Sequence, residues 1–110
     1  MEFIETSVFT RLVLELLPDD AYRELQISLA DNPEQGAVIP GGGGIRKIRF
    51  GLNDTGKRGG VRVIYYWLTK ASQIYMLLIY PKGKQENLTD DQKKILRALV
   101  KELNDGSQSV

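Results

Sequence analysis

Cysteine and histidine are both absent from this chain of 110 residues. Their absence excludes thiol catalysis, a Ser-His-Asp arrangement, disulfide bonds and the usual structural zinc sites. An enzyme with this sequence must use lysine, arginine, tyrosine, carboxylates or backbone groups. Residues 45–88 hold only Asp54 and Glu86 as carboxylates. We therefore expect no metal and no cofactor.

Long apolar runs are also missing, since none approaches the ~20 residues of a membrane span. The first five residues carry two glutamates and lack the basic start of a secretory signal. Apolar residues make up 42% of the chain and charged residues 26%, as in a globular domain. We predict a single cytoplasmic domain over residues 1–110, with residues 106–110 as a frayed tail and no membrane association.

The formal net charge of +1 conceals an uneven distribution. Residues 1–44 hold eight acidic and two basic side chains, whereas residues 45–88 hold nine basic and two acidic ones. A basic middle segment in a nearly neutral chain indicates a site for a polyanion. The alternative is that these charges only keep a sheet and its loops soluble.

Helical and strand patterns alternate along the chain. Ser7 is the expected N-cap of a helix to about Leu17, with Val8, Leu12 and Leu16 inward, and Pro18 ends it. Asp19 or Asp20 begins a second helix to about residue 31, with Tyr22, Leu25 and Leu29 inward. Thr89 and Gln92 form a capping-box pattern that begins a third helix, whose apolar stripe is Ile95, Leu96, Leu99, Val100 and Leu103.

Three runs rich in β-branched and aromatic residues, 45–52, 61–68 and 73–80, predict an antiparallel meander. Residues 2–5 add a short edge strand, and residues 33–44 form a glycine- and proline-rich loop. The fold class is therefore α+β: an N-terminal helical hairpin packed on a three- to four-stranded antiparallel sheet, with a C-terminal helix.

Alternation along the strands predicts which side chains share a face. Lys47 and Arg49 point together, and Arg62 joins them from the next strand, on the open face away from the helices. Tyr66 and Tyr80 lie nearby for stacking on bases, or else simply fill the core. Other cations are further candidates for binding RNA: Arg46 in the first of these strands, Lys57 and Arg58 at the hairpin tip, and Lys82 and Lys84 after the third strand.

Cations and aromatic rings together are typical of single-stranded RNA recognition. RNA also supplies its own nucleophile, the 2′-hydroxyl group. A lysine crowded by other cations has a lowered pKa and can accept that proton, while arginine holds the developing charge. Metal-independent RNA cleavage is thus possible for this residue set.

Three segments carry a family resemblance: 44–50 (GIRKIRF), 56–67 (GKRGGVRVIYYW) and 79–89 (IYPKGKQENLT). They resemble the HigB-type toxins of the RelE/ParE superfamily. The resemblance implies a RelE-like fold and a type II toxin that cuts mRNA in the ribosomal A site. It also implies a HigA-like helix-turn-helix antitoxin, docked on the helices, on the sheet edge, or on both.

The same resemblance assigns roles to individual residues. Lys47 and Arg49 match the cationic pair of the first central strand, with Lys47 or its neighbour as general base, and Arg62 matches the arginine that stabilises the transition state. Lys82 and Lys84 match a further charge-stabilising segment. The C-terminal tyrosine of RelE-type members has no counterpart, because Thr89 lies in that region, and Tyr66 or Tyr80 is the expected substitute.

Two other functions stay open from the sequence. A ParE-like member would inhibit DNA gyrase without cutting RNA, although such an inhibitor needs no cluster at Lys47, Arg49 and Arg62. A non-catalytic RNA-binding homologue would bind with steep salt dependence and form no product.

Overall fold

The computed structural model describes residues 1–51, 60–85 and 87–106. Within these ranges the chain forms five strands and three helices: β1 (Glu2–Glu5), α1 (Ser7–Leu16), α2 (Asp19–Asp31), β2 (Ala37–Val38), β3 (Arg46–Phe50), β4 (Val61–Leu68), β5 (Gln73–Pro81) and α3 (Asp90–Gly106). A 3₁₀ turn over Thr69–Ala71 joins β4 to β5. The predicted α+β class and its order of elements are confirmed.

The strands of the described ranges form one sheet in the order β1-β5-β4-β3-β2. Strands β2 to β5 pair antiparallel, as the predicted meander requires. β1 instead pairs parallel with β5. The sheet is therefore larger than the predicted three to four strands, and it is mixed. β2 was missed because it has only two residues inside a segment whose glycines and prolines favour a loop.

Two cores lie on opposite faces of the sheet. On the hairpin face, α1 and α2 pack against the β3–β5 side chains that include Val63, Tyr65 and Trp67. On the α3 face, Leu96 and Val100 of α3 pack against Ile64 and Leu77. The expectation of an open second face is therefore wrong along most of β4, because α3 buries its apolar stripe there.

The helix boundaries are close to those predicted, but some inward residues differ. Thr6 rather than Ser7 caps α1, since its Oγ1 accepts a hydrogen bond from Phe9 N at 3.1 Å. The one-residue shift makes Phe9 and Val13 the buried residues of α1 and leaves Val8 41% exposed. Helix α2 buries Leu25 and Leu29 as expected.

The capping box of α3 is confirmed by two reciprocal hydrogen bonds. Gln92 N donates to Thr89 Oγ1 at 3.1 Å, and Thr89 N donates to Gln92 Oε1 at 3.0 Å. The stripe is narrower than predicted, because Ile95 is 66% exposed while Leu96 and Val100 are buried. Helix α3 continues to Gly106, where the predicted tail begins. The rest of that tail lies outside the described residues.

Candidate nucleic-acid interface

Two arginines face each other across β3 and β4. Arg49 pairs directly with Arg62, and Arg62 pairs with Tyr80 of β5, so these three residues form one row across the sheet. Directly opposed side chains have Cβ atoms about 5 Å apart, and like charges at that distance repel. A pair of guanidinium groups held together in this way is suited to bind an anion.

Lys47 lies one row further along the same face. Its cross-strand partner is Ile64, and it is two residues from Arg49, a separation of about 7 Å along a strand. The predicted sharing of one face by Lys47, Arg49 and Arg62 is therefore confirmed. We refer to these three residues as the cation cluster.

The members of the cation cluster differ in exposure. Arg62 is only 4% exposed, Lys47 is half-buried and Arg49 is exposed. Arg62 belongs to the middle strand of β3, β4 and β5, whose neighbours cover it on both sides. Burial in a medium less polar than water strengthens the interaction of a charge with a nearby anion. Arg62 is thus placed to stabilise negative charge on a bound ligand, and Arg49 is placed to contact that ligand from the solvent side.

The ammonium of Lys47 is anchored by the segment between β5 and α3. Lys47 Nζ donates a hydrogen bond to Asn87 Oδ1 at 3.0 Å. Gln85 Nε2 in turn donates to Asn87 O and to Gln92 Oε1, both at 2.9 Å. This network connects Lys47 to the capping box of α3. The sequence offers no signal for it, because Lys47 and Asn87 are forty residues apart.

Lys82 and Lys84 lie in the turn after β5, and both are exposed. Lys82 N donates to Gly60 O at 3.1 Å, which holds the turn beside the start of β4. Since Arg62 is the second residue of β4, Lys82 lies at the same end of the sheet. Lys84 lines a cavity together with Tyr80 and Glu15. The structure brings Lys82 toward the cation cluster and turns Lys84 toward α1.

Arg46 is separated from the cation cluster, because neighbouring residues of a strand point to opposite faces. Its Nη1 donates to Glu34 O at 2.9 Å and to Gly36 O at 2.8 Å. Its cross-strand partner is Tyr65, on the hairpin face. Arg46 therefore fixes the connection between α2 and β2, and the predicted RNA contact by Arg46 does not fit this placement.

The two tyrosines expected to stack on bases are packed instead. Tyr66 lies under α3, where its hydroxyl accepts a hydrogen bond from Asn104 Nδ2 at 3.0 Å. Tyr80 is next to Arg62 in the sheet but only 4% exposed. Both side chains belong to the α3 core because the helix covers the face that we expected to be open. Lys57 and Arg58, the other predicted RNA-binding residues, lie outside the described residues.

The described part of the chain contains no group of three carboxylates that could hold a metal ion. It also contains no helix long and apolar enough to cross a membrane. The chemistry that the cation cluster supports is the binding of a phosphodiester by arginine and proton transfer by lysine.

A comparison with protein families finds a match over most of the chain. The family described as "RelE toxin of RelE / RelB toxin-antitoxin system" matches residues 21–109, which is more than half of the chain. The matched range begins in α2 and contains every residue of the cation cluster, together with Asn87 and the turn after β5.

Proposed function

This chain belongs to the RelE toxin family of toxin–antitoxin systems, and from that premise we propose that it is a HigB-type toxin that cuts mRNA on the ribosome. The single observation that supports cleavage is the register of the cation cluster, which sets two arginines opposite each other and a lysine one row away. This arrangement is costly to maintain without an anionic ligand, since the like charges repel.

In the proposed reaction the 2′-hydroxyl oxygen of the RNA attacks the adjacent phosphorus atom. Lys47 acts as general base and takes the hydroxyl proton, while Arg49 and Arg62 stabilise the charge that develops on the phosphoryl oxygens. The bond from phosphorus to the 5′-oxygen breaks, and that oxygen takes a proton from water. The products are a 2′,3′-cyclic phosphate and a 5′-hydroxyl end.

The burial of Arg62 suits the role that we propose for it. Arg62 is buried and held between two strands, so its charge is fixed before the RNA arrives, which is the property that makes electrostatic stabilisation effective. Lys82, at the same end of the sheet, adds a further positive charge, and Lys84 extends the basic surface around the turn. No cofactor takes part.

The proposed partners are the mRNA, the ribosomal A site and a HigA-like antitoxin, and the proposed compartment is the cytoplasm. The cation cluster and the helical hairpin lie on opposite faces of the sheet. An antitoxin on the hairpin would thus leave the cluster uncovered. An interface that omits residues 1–35 would contradict docking on the hairpin.

The test is a reconstituted bacterial translation system with one defined mRNA, in which new 5′ ends are mapped. We expect cuts with the wild-type protein on translating ribosomes and none in a ribosome-free control. Lys47→Ala should slow cleavage by about 10² to 10⁴, the usual effect of losing a general base. Arg62→Ala should slow it by about 10² to 10³.

Two controls make this test specific. Lys94→Ala removes an exposed cation of α3 outside the cluster and should leave the rate unchanged. Arg62→Lys keeps the buried charge but not the fork of donors, so it separates loss of folding from loss of chemistry. A folded wild-type protein that produces no cuts would contradict the nuclease and favour gyrase inhibition or RNA binding alone.

A further inference from the structure

A cavity of about 400 Å³ opens beside Lys47, between the segment after β2 and the start of α3. The mechanism proposed above uses only its Lys47 wall. The remaining walls are mostly apolar and come from separate parts of the chain: Ala37, Val38, Ile39, Pro40 and Leu88. Cavities of this size with a few polar groups in apolar walls are typical of small-ligand sites.

The polar groups of the cavity are two lysines and one amide, Lys47, Lys93 and Asn87. Asn87 Oδ1 accepts the hydrogen bond from Lys47, so its Nδ2 is oriented as a donor. Within the described ranges, Asn87 Nδ2 donates to no other group, and neither carboxylate nor carbonyl pairs with Lys93 Nζ. The cavity therefore offers positive charge and an amide donor next to apolar surface.

The segment after β2 and the segment around Asn87, which form two sides of the cavity, are both hydrogen-bonded to the rest of the fold. Ile39 N donates to Ile45 O at 2.9 Å, which ties the segment after β2 to the start of β3. On the other side, Gln85 holds the backbone of Asn87, as described above. A cavity whose walls are fixed in this way is largely formed before a ligand binds, which lowers the entropic cost of binding.

We propose that this cavity binds one ribonucleotide of the RNA strand, the nucleotide adjacent to the phosphate held by the cation cluster. The base packs between Pro40 and Leu88, Asn87 Nδ2 donates to an acceptor on the base edge, and Lys93 binds the phosphate. This inference rests on the proposed function and deepens it, since it makes Asn87 a specificity-determining residue and Lys93 a phosphate-binding residue of the same site.

The first test is independent of cleavage. The four 5′-ribonucleoside monophosphates are titrated into the ¹⁵N-labelled protein, and amide chemical shifts are followed by NMR. We expect the largest shifts at Val38, Leu88 and the side-chain amide of Asn87, with different affinities for the four bases. Shifts spread evenly over all basic surfaces, or no binding in the millimolar range, would overturn the proposal.

A pair of neighbouring lysines supplies a matched control. Lys93 lines the cavity, whereas Lys94 is exposed on α3 and does not. Lys93→Ala should weaken nucleotide binding about fivefold, as expected for one partly exposed ionic contact, and Lys94→Ala should leave it unchanged. Equal effects of the two changes would show that only general electrostatic attraction is at work, and would overturn the proposal.

Filling the cavity gives a second variant that should fold normally. Ala37 is exposed on a short edge strand and is the cross-strand partner of Lys47, so Ala37→Trp places a ring at the opening beside Lys47 without altering the core. Ile27→Trp, at a residue that is 63% exposed on α2 and far from the cavity, is the control. Only Ala37→Trp should abolish the nucleotide-dependent shifts. Normal binding by this variant would contradict the proposal.

Cleavage assays separate the failure of this inference from the failure of the proposed function. If the wild-type protein cuts mRNA, Ala37→Trp should change the base preference at one position of the cut site. Cleavage with an unchanged preference would overturn the nucleotide site and leave the nuclease intact. Saturable nucleotide binding at the cavity without any cleavage would support the site and contradict the nuclease.

Discussion

Arg46 and Tyr65 are cross-strand neighbours that hold the same short segment from two sides. The Tyr65 hydroxyl donates to Pro33 O at 2.7 Å and accepts from Gly36 N at 2.9 Å. Arg46 adds two bonds to carbonyl groups of the same segment. The start of β2, and through it one wall of the cavity beside Lys47, thus depends on two residues on the opposite face of the sheet.

Replacing Tyr65 by phenylalanine should destabilise the protein by about 1–3 kcal/mol, because the buried Gly36 N–H loses its acceptor. Urea unfolding followed by fluorescence measures the change. Tyr75→Phe is the matched control: its hydroxyl donates to Gln73 Oε1 near the surface, so the loss should stay below about 1 kcal/mol. Equal losses of unfolding free energy in the two variants would show that the hydrogen bonds of Tyr65 stabilise the protein no more than the surface hydrogen bond of Tyr75.

A methyl group at Gly36 should have a comparable effect for a steric reason. A Cβ atom at this position would lie 2.8 Å from the Tyr65 ring and hydroxyl, closer than side chains pack. The Gly36→Ala variant must therefore displace Tyr65 or the segment itself, at a cost of about 1–3 kcal/mol. Gly51→Ala is the control, since nothing lies within 4 Å of the corresponding atom. A Gly36→Ala protein as stable as Gly51→Ala would contradict the tight packing of Tyr65.

Alkaline pH should destabilise the protein through Tyr22. Burial, and then the carboxylate of Glu5 that accepts its hydroxyl proton in a hydrogen bond, raise the pKa of Tyr22 above its ordinary value. The folded state therefore holds this proton more tightly than the unfolded state does. The resulting stability is complete below about pH 10, the pKa of an unfolded tyrosine, and is lost as the pH rises above it.

Urea midpoints on either side of pH 10 test this prediction. The wild-type midpoint should fall more steeply with pH than that of Tyr22→Phe, which has no hydroxyl at this position to titrate. Burial also raises the pKa of Tyr65, so part of the slope should remain in the Tyr22→Phe variant. Parallel curves for the two proteins would contradict the role of Tyr22.

Local patterns in the sequence predicted the elements that such patterns control. The runs that became β4 and β5 are long and β-rich, and the capping box at Thr89 marked the start of α3 correctly. The parallel pairing of β1 with β5 was not predictable in this way, because it depends on contacts more than sixty residues apart in the chain.

In the candidate site, too, local patterns predicted some residues and long-range contacts decided the others. Alternation within strands was sufficient to put Lys47, Arg49 and Arg62 on one face. It could not show that α3 would cover the neighbouring Tyr66 and bury Tyr80, since that depends on how an amphipathic helix docks. Asn87 and Lys93 were missed because a single amide or lysine carries no pattern until the fold brings it beside Lys47.

The docking of α3 itself can be tested with two adjacent residues. Leu96 is 8% exposed in the α3 core, whereas Ile95 is 66% exposed, although the sequence pattern placed both in the inward stripe. Leu96→Ala should therefore cost about 2–5 kcal/mol and Ile95→Ala less than about 1 kcal/mol. Thermal or urea unfolding gives both values. A larger loss at Ile95 would mean that α3 is rotated about its axis relative to this structure.

The pH dependence of cleavage distinguishes this chemistry from that of a histidine-based nuclease. Because the chain has no histidine, the toxin itself should not contribute a histidine-like inflection near pH ~6.5. The pH profile should instead depend on Lys47, the proposed base. Single-turnover cleavage of ribosome-bound mRNA over a range of pH, with ribosome occupancy checked at each point, measures this dependence. The residual activity of Lys47→Ala should therefore have a different pH profile from that of the wild type. The contrary result would be an inflection of the cleavage rate near pH ~6.5 that persists in Lys47→Ala and Arg62→Lys. If the ribosome without the toxin showed no such inflection, this result would contradict lysine as the base.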